Sequence, residues 1–159
     1  MRLTQWTDYT LRVLMYCAAT LDRVEPVTIT EIAQNHGISR SHLTKIVQEL
    51  AARGWLQTTR GRGGGLRLSM PAKDIGLGDV VRATETDFAM VECFDPVLNQ
   101  CRMTQHCTLK SVLYQATRSY LAVLDGITLA DLVAPHAGNT GMASLQRVQL
   151  IPGMPTPSV

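Results

Sequence analysis

The sequence predicts a mainly α fold: a helix-turn-helix with a hairpin wing, followed by a long helix towards the C-terminus. Three observations carry that expectation. Between Thr28 and Ala52 a short capped helical segment, a turn at Gly37 and a longer helical segment follow one another. From Trp55 to Ser69, Leu56 and Thr58 stand on one side of a glycine-rich tip and Leu66 and Leu68 on the other, as in a hairpin. From Thr108 to Asp125 apolar residues recur at helical spacing. With 159 residues and 45% hydrophobic content, the chain amounts to one ordinary domain whose core needs no covalent staple.

Each element has its own signal. A first helix is expected over Gln5 to Thr20, capped by Thr4 or Thr7, with Trp6, Thr10, Val13, Leu14, Cys17 and Leu21 on its apolar face. Thr28 and Glu31 form a capping-box pair for the short second helix, which Gly37 ends. Ser39 caps a third helix from Arg40 to about Ala52, its buried stripe being Leu43, Ile46, Val47 and Leu50, and Gly54 stops it. A short helix is expected near Leu77 to Glu85. The segment after it carries Pro96 and Asn99 and should be irregular. The long helix presents Leu109, Val112, Leu113, Ala116, Tyr120, Val123 and Leu124, and Thr128 with Asp131 caps a last helical turn. Trp6 and Trp55 read as packing residues. Beyond Ala134 the composition turns to Pro, Gly and Ser, which predicts a disordered tail. The expected organisation is therefore a winged helix-turn-helix region at 1–76, a second region at 77–134 and a tail at 135–159.

Composition narrows the function classes. No apolar run approaches the roughly 18 residues that span a bilayer, and no secretory pattern opens the chain, so a cytoplasmic protein without a membrane partner is expected. There is no paired-carboxylate site, no Cys-x-x-Cys motif and no phosphate loop followed by a helix, so an enzyme is not expected. The net charge of +2 is unevenly spread. Residues 1–70 hold nine Lys and Arg against five Asp and Glu, whereas the remainder holds six against eight. The amino-terminal half is thus the one suited to a polyanion.

The outer face of the third helix bears Arg40, Ser41, His42, Thr44, Lys45 and Gln48, compact or hydrogen-bonding groups matched to base edges and phosphates in a major groove. The hairpin tip adds Arg60, Arg62 and Arg67 among Gly61, Gly63, Gly64 and Gly65, where backbone and arginines approach a second surface closely. Double-stranded DNA is the expected partner. One such unit reads few base pairs, so pairing of two copies on symmetric half-sites is expected, with the long helix as the dimerisation element.

Three of the four cysteines, Cys93, Cys101 and Cys107, fall within 15 residues. Their gaps of seven and five residues are longer than the close pair usual in structural zinc sites, and three thiols leave a disulfide one over. An iron–sulfur cluster, which is larger than one ion, tolerates such loops and accepts a fourth, different ligand. The alternatives are zinc completed by His106 or an acid, and thiols that are redox-active or unligated. Cys17, on the apolar face of the first helix, reads as a core residue.

The stretches MRLTQWTDYTLRVLMYCA and TITEIAQNHGISRSHLTKIVQELAARGWLQTTRGRGGGLRL, together with the three cysteines, resemble the iron–sulfur winged-helix bacterial transcriptional regulators of the NsrR/IscR type over about residues 1–135. The nitric-oxide-sensing branch is the most similar. That resemblance implies a cytoplasmic homodimer that represses transcription from palindromic promoter DNA. It implies a 4Fe–4S cluster, with a 2Fe–2S cluster as the alternative, whose nitrosylation releases the DNA and derepresses nitric-oxide detoxification genes. It places the ligands at Cys93, Cys101, Cys107 and Asp8 of the partner subunit, with Arg12 beside that aspartate at i,i+4 spacing. The seven-residue first gap departs from the commoner five. No histidine stands at Thr108, Leu109 or Lys110, which disfavours the histidine-ligated type. A regulator of the same family that answers to iron–sulfur supply, iron status or redox state is the alternative implied function.

Overall fold

The computed structural model describes residues 2–103 and 107–134; the expectations for His106 and for 135–159 lie outside the described residues. Among the described residues, six α-helices and a two-stranded sheet follow in the order α1 (Gln5–Ala19), α2 (Ile29–His36), α3 (Arg40–Ala52), β1 (Leu56–Thr59), β2 (Gly65–Leu68), α4 (Leu77–Thr84), α5 (Thr108–Asp125) and α6 (Leu129–Val133). Short 3₁₀ turns occupy Ala72–Asp74 and Glu92–Phe94.

The helix boundaries follow local chemistry. The Thr4 hydroxyl accepts from the Thr7 amide and starts α1. Thr28 and Glu31 form the expected reciprocal capping box of α2, and Gly37 ends that helix with φ 64°, a left-handed value that glycine adopts without strain. Ser39 caps α3. A second capping box joins Thr128 and Asp131 ahead of α6.

One core lies under the helix-turn-helix. Val13 and Leu14 of α1, Ile32 of α2, and Leu43, Ile46 and Leu50 of α3 are almost wholly buried, joined by Leu56, Leu66, Ile75, Val80 and Leu129. Trp6 and Trp55 pack half-buried against this cluster. Leu21 departs from expectation. It lies past the end of α1 and is 50% exposed, because the helix stops at Ala19, where the Thr20 hydroxyl donates to the Tyr16 carbonyl. Arg23 and Tyr16 both donate to Glu31 Oε1, at 2.5 and 2.9 Å, and brace α1 and the following loop against α2. The Arg23 guanidinium holds the Glu31 carboxyl below the usual range; burial and then the hydrogen bond to Glu31 push the Tyr16 phenol up.

The wing pairs antiparallel, with Leu56 opposite Leu68 and Thr59 opposite Gly65. Its far side is bridged by Val27 of the α1–α2 loop, whose N–H and C=O both bond to Leu66. A Cβ at Gly65 would overlap the Val27 carbonyl oxygen, so only glycine allows that closure.

α4 packs on both α1 and α5, and Arg82 pairs bidentately with Asp125 at 2.5 and 2.7 Å. The apolar stripe of α5 divides. Leu113, Thr117, Tyr120 and Leu124 turn towards the protein, whereas Leu109, Val112 and Val123 are exposed by 61, 54 and 42%. A stripe this wide subtends more of the helix than α4 alone covers.

Candidate DNA-binding face and thiol segment

The inner face of α3 is fixed by Leu43, Ile46, Val47 and Leu50, which leaves the opposite face outward. Arg40, Ser41, Thr44, Lys45 and Gln48 are exposed there. Arg40, Thr44 and Gln48 share a groove of about 350 Å³ with Thr28 and Thr30 at the start of α2 and with Thr58, Thr59 and Arg60 of the wing. The Thr44 hydroxyl donates to the Arg40 carbonyl at 2.8 Å. Arg62 is exposed at the wing tip, between Gly61 (φ 95°) and Gly63 (φ 77°). The helix face and wing thus present cations and hydrogen-bonding groups on both sides of one concave surface, a shape that admits a phosphate backbone beside a major groove.

Two residues differ from the rest of that set. His42 is half-buried, its ring 5.2 Å from Tyr9 in an edge-on contact and 5.8 Å from Trp6. It joins the first turn of α3 to α1. Arg67 donates to the backbone carbonyls of Arg23 and Val24 and so ties the wing to the α1–α2 loop. Neither role is readable from sequence, since the partners lie 33 to 44 positions away. Arg67→Ala is expected to make amide exchange at Val27 and Leu66 about tenfold faster while leaving the salt dependence of DNA binding unchanged. An altered salt slope would make Arg67 a phosphate contact instead.

The thiol segment follows α4. All four cysteines are reduced thiols; Cys93 and Cys107 are half-buried and Cys101 is exposed. Asp95 accepts from the amides of Val97 and Leu98, and Glu92 accepts from the Gln100 amide at 2.6 Å, which draws together the neighbours of Cys93 and Cys101. Phe94 packs edge-on to Tyr114 of α5, and Cys107 occupies the N-cap position of that helix. Cys17 alone of the four is buried. Burial, with a smaller contribution from Glu31, pushes its thiol up to about 12, as suits a core residue.

Asp8 stands in the first turn of α1, and both its oxygens accept from Arg12, at 3.1 and 3.2 Å from Nε and 3.0 Å from a terminal nitrogen. The hydrogen bond and charge of Asp8 hold the Arg12 guanidinium above its ordinary value. Among the described residues no group of three or more His, Cys, Asp or Glu stands close enough to hold a metal ion. Asp8 is thus gathered with Arg12 and not with the thiols. In chemistry the donor set nonetheless suits an iron–sulfur cluster: three thiols outside disulfides, on an irregular segment with enough chain between them to close around a group wider than one ion.

Comparison with known proteins agrees with this architecture. The Rrf2 family model, described as iron-dependent transcriptional regulator, matches residues 3–135. The HTH-type transcriptional regulator NsrR of Bacillus subtilis (strain 168) is 50% identical over 133 residues, covering 84% of this chain and 90% of that protein. Among solved structures, the global cysteine regulator CymR of B. subtilis superposes with a TM-score of 0.68 at 25% identity, covering 84% of this chain and 97% of that one. IscR of T. potens gives the same score and identity, with coverage of 90 and 96%. Matched along most of its length by that family model, and half identical to one such regulator, the chain belongs to the Rrf2 family and is a regulator of transcription, not an enzyme.

Proposed function

We propose that the chain is a cytoplasmic, homodimeric repressor that binds palindromic promoter DNA and releases it in response to nitric oxide, derepressing nitric-oxide detoxification genes. Residues 1–76 make the DNA contacts, through Arg40, Ser41, His42, Thr44, Lys45 and Gln48 of α3 and Arg60 and Arg62 of the wing. Residues 77–134 carry the sensor and the pairing surface, for which the exposed Leu109, Val112, Tyr114 and Val123 of α5 supply the apolar area. Cys93, Cys101 and Cys107, with Asp8 of the partner subunit, would hold a 4Fe–4S cluster, or a 2Fe–2S cluster as the alternative, and Arg12 would orient that aspartate. When bound, such a cluster supplies an iron with an exchangeable oxygen ligand, open to attack by nitric oxide.

The observation that carries the reading is one of placement. Three thiols stand on the connection between α4, the helix that packs against both α1 and α5, and α5 itself. A tie among Cys93, Cys101, Cys107 and the partner subunit's Asp8 would constrain the α1 that carries that aspartate, and α1 packs on α3. Removing the tie changes which arrangement of α3 is populated, and DNA affinity follows. The family's description as iron-dependent favours a second reading, in which the same parts answer to iron–sulfur supply, iron status or redox state.

Operator DNA selected from random duplexes by anaerobic wild-type protein provides the test. Binding is expected to differ between cluster-loaded, cluster-free and nitric-oxide-treated protein; equal affinity in all three states removes the sensing role. Under the second reading iron depletion changes affinity and nitric oxide adds nothing. Lys45→Ala and Arg62→Ala should each weaken binding and lower the salt slope by about one. Unchanged affinity in both would displace the DNA face from α3 and the wing.

A further inference from the structure

The segment that leads into the thiols is latched to the start of α1 by one carboxylate. Glu85, the C-cap residue of α4, accepts from the Thr4 amide at 2.8 Å and from the Thr4 hydroxyl at 3.1 Å, across 81 positions of sequence. The same Thr4 hydroxyl accepts from the Thr7 amide and caps α1. The carboxylate therefore sits where the α1 amides gather partial positive charge, which favours a negative group. Tyr120 of α5 lies beside it; burial, and then the Glu85 charge, push its phenol up.

The contacts continue on both sides. Five residues past Glu85, the Met90 sulfur accepts from Thr117 of α5 at 3.2 Å, and three residues further the first thiol, Cys93, appears. On the other side, the first two turns of α1 carry Trp6, Asp8 and Tyr9, and both aromatic rings pack on His42 of α3. A displacement of 85–93 thus reaches the recognition helix through a hydrogen-bonded cap and an aromatic contact.

We propose that Glu85 is the positioning residue that couples the thiol segment to the DNA-binding face, by holding the N-cap of α1 to the end of α4. The role rests on the sensing reading above. The Glu85–Thr4 bonds keep α1 in register with α4, so that a change in the thiol segment is transmitted to α3 instead of being absorbed by a free N-terminal turn.

The experiment compares wild type, Glu85→Ala and Glu85→Gln as full-length chains, anaerobically, each cluster-loaded and cluster-free, on the selected operator duplex. In Glu85→Ala the ratio of the two dissociation constants is expected to shrink by about fivefold or more towards one. Glu85→Gln should keep most of the wild-type ratio, because its amide oxygen accepts the same two bonds; a merely structural loss would follow side-chain charge and unfolding temperature instead. Thr4 amide exchange, measured on the cluster-free protein, is expected to quicken at least about tenfold in Glu85→Ala and little in Glu85→Gln. A wild-type ratio preserved in Glu85→Ala removes the latch alone. A wild-type ratio of one removes the sensing reading and the latch's part in it. Should Glu85→Ala fail to fold, the wild type decides: Thr4 exchange that changes on cluster loading supports the coupling, and identical exchange in the two states overturns it.

Discussion

Replacing any one of Cys93, Cys101 or Cys107 by alanine is expected to abolish retention of iron and sulfide and to leave the cluster-free fold nearly as stable as before. The two halves of that expectation have separate causes. A cluster that these three thiols would hold loses one of its thiolate bonds, so loading should fall to background. Stability is another matter. None of the three thiols belongs to the buried core, and a substitution outside the core typically shifts stability by within about 0.5 kcal/mol. Cys17→Ala is the internal control with the opposite outcome. That side chain is 3% exposed within the core cluster, so its truncation should cost about 1 kcal/mol while iron and sulfide remain at wild-type levels. Anaerobic iron and sulfide analysis, with calorimetry of the cluster-free proteins, measures both. Full loading in all three loop variants would mean that these thiols are not the ligands. Loss of iron in Cys17→Ala would assign the core cysteine a part no feature of α1 suggests.

Leu43→Ala is expected to destabilise the chain by about 3 kcal/mol and to lower its melting temperature by on the order of 10 °C. Leu43, Ile46, Val47 and Leu50 stand at i, i+3, i+4 and i+7 on α3 and are at most 3% exposed. They face Val13 and Leu14 of α1 and Ile32 of α2, which are equally enclosed. Because α1 and α2 are further pinned by the Tyr16–Glu31–Arg23 bonds, the site closes little around a lost isobutyl group, and a cavity remains. Urea unfolding should show a lower midpoint with an unchanged slope. Lys45→Ala, on the opposite face of the same helix, should move the midpoint little and the DNA affinity much. A cost below about 1 kcal/mol for Leu43→Ala would mean that α3 repacks freely, and its outer face would then be an unsuitable reader of base edges.

What the sequence revealed and what it hid divide along distance. Thr4, Thr28, Ser39 and Thr128 each cap a helix through an amide three residues on, so those starts were legible, as was Gly37 at a left-handed turn. The buried stripe of α3 was legible for the same reason: the helical period alone assigns it. Periodicity did not show how much of the α5 stripe its own chain covers, since that depends on α4 and the Arg82–Asp125 pair, 43 positions apart. Nor did it show His42 against Tyr9, Arg67 against the α1–α2 loop, or Glu85 against Thr4. Each is a polar or aromatic side chain whose partner is chosen by tertiary packing. The aspartate beside Arg12 follows from i,i+4 spacing, whereas its assignment to the cluster came from family resemblance, and in the described chain it bonds to Arg12.

The bridge from Val27 to Leu66 has a consequence for life at high concentration. A hairpin proposed to meet a nucleic acid stays uncovered and offers backbone donors and acceptors to any other strand that drifts past, the usual route to fibrils and swapped dimers. Here β2 is closed on its outer side by the chain's own loop, through a glycine that no bulkier residue replaces without collision. That leaves β1 as the open border, a four-residue run of Leu, Gln, Thr and Thr with only its leucine buried, too short and too hydrophilic to recruit a stranger. The wing remains available to its partner and unattractive to its neighbours.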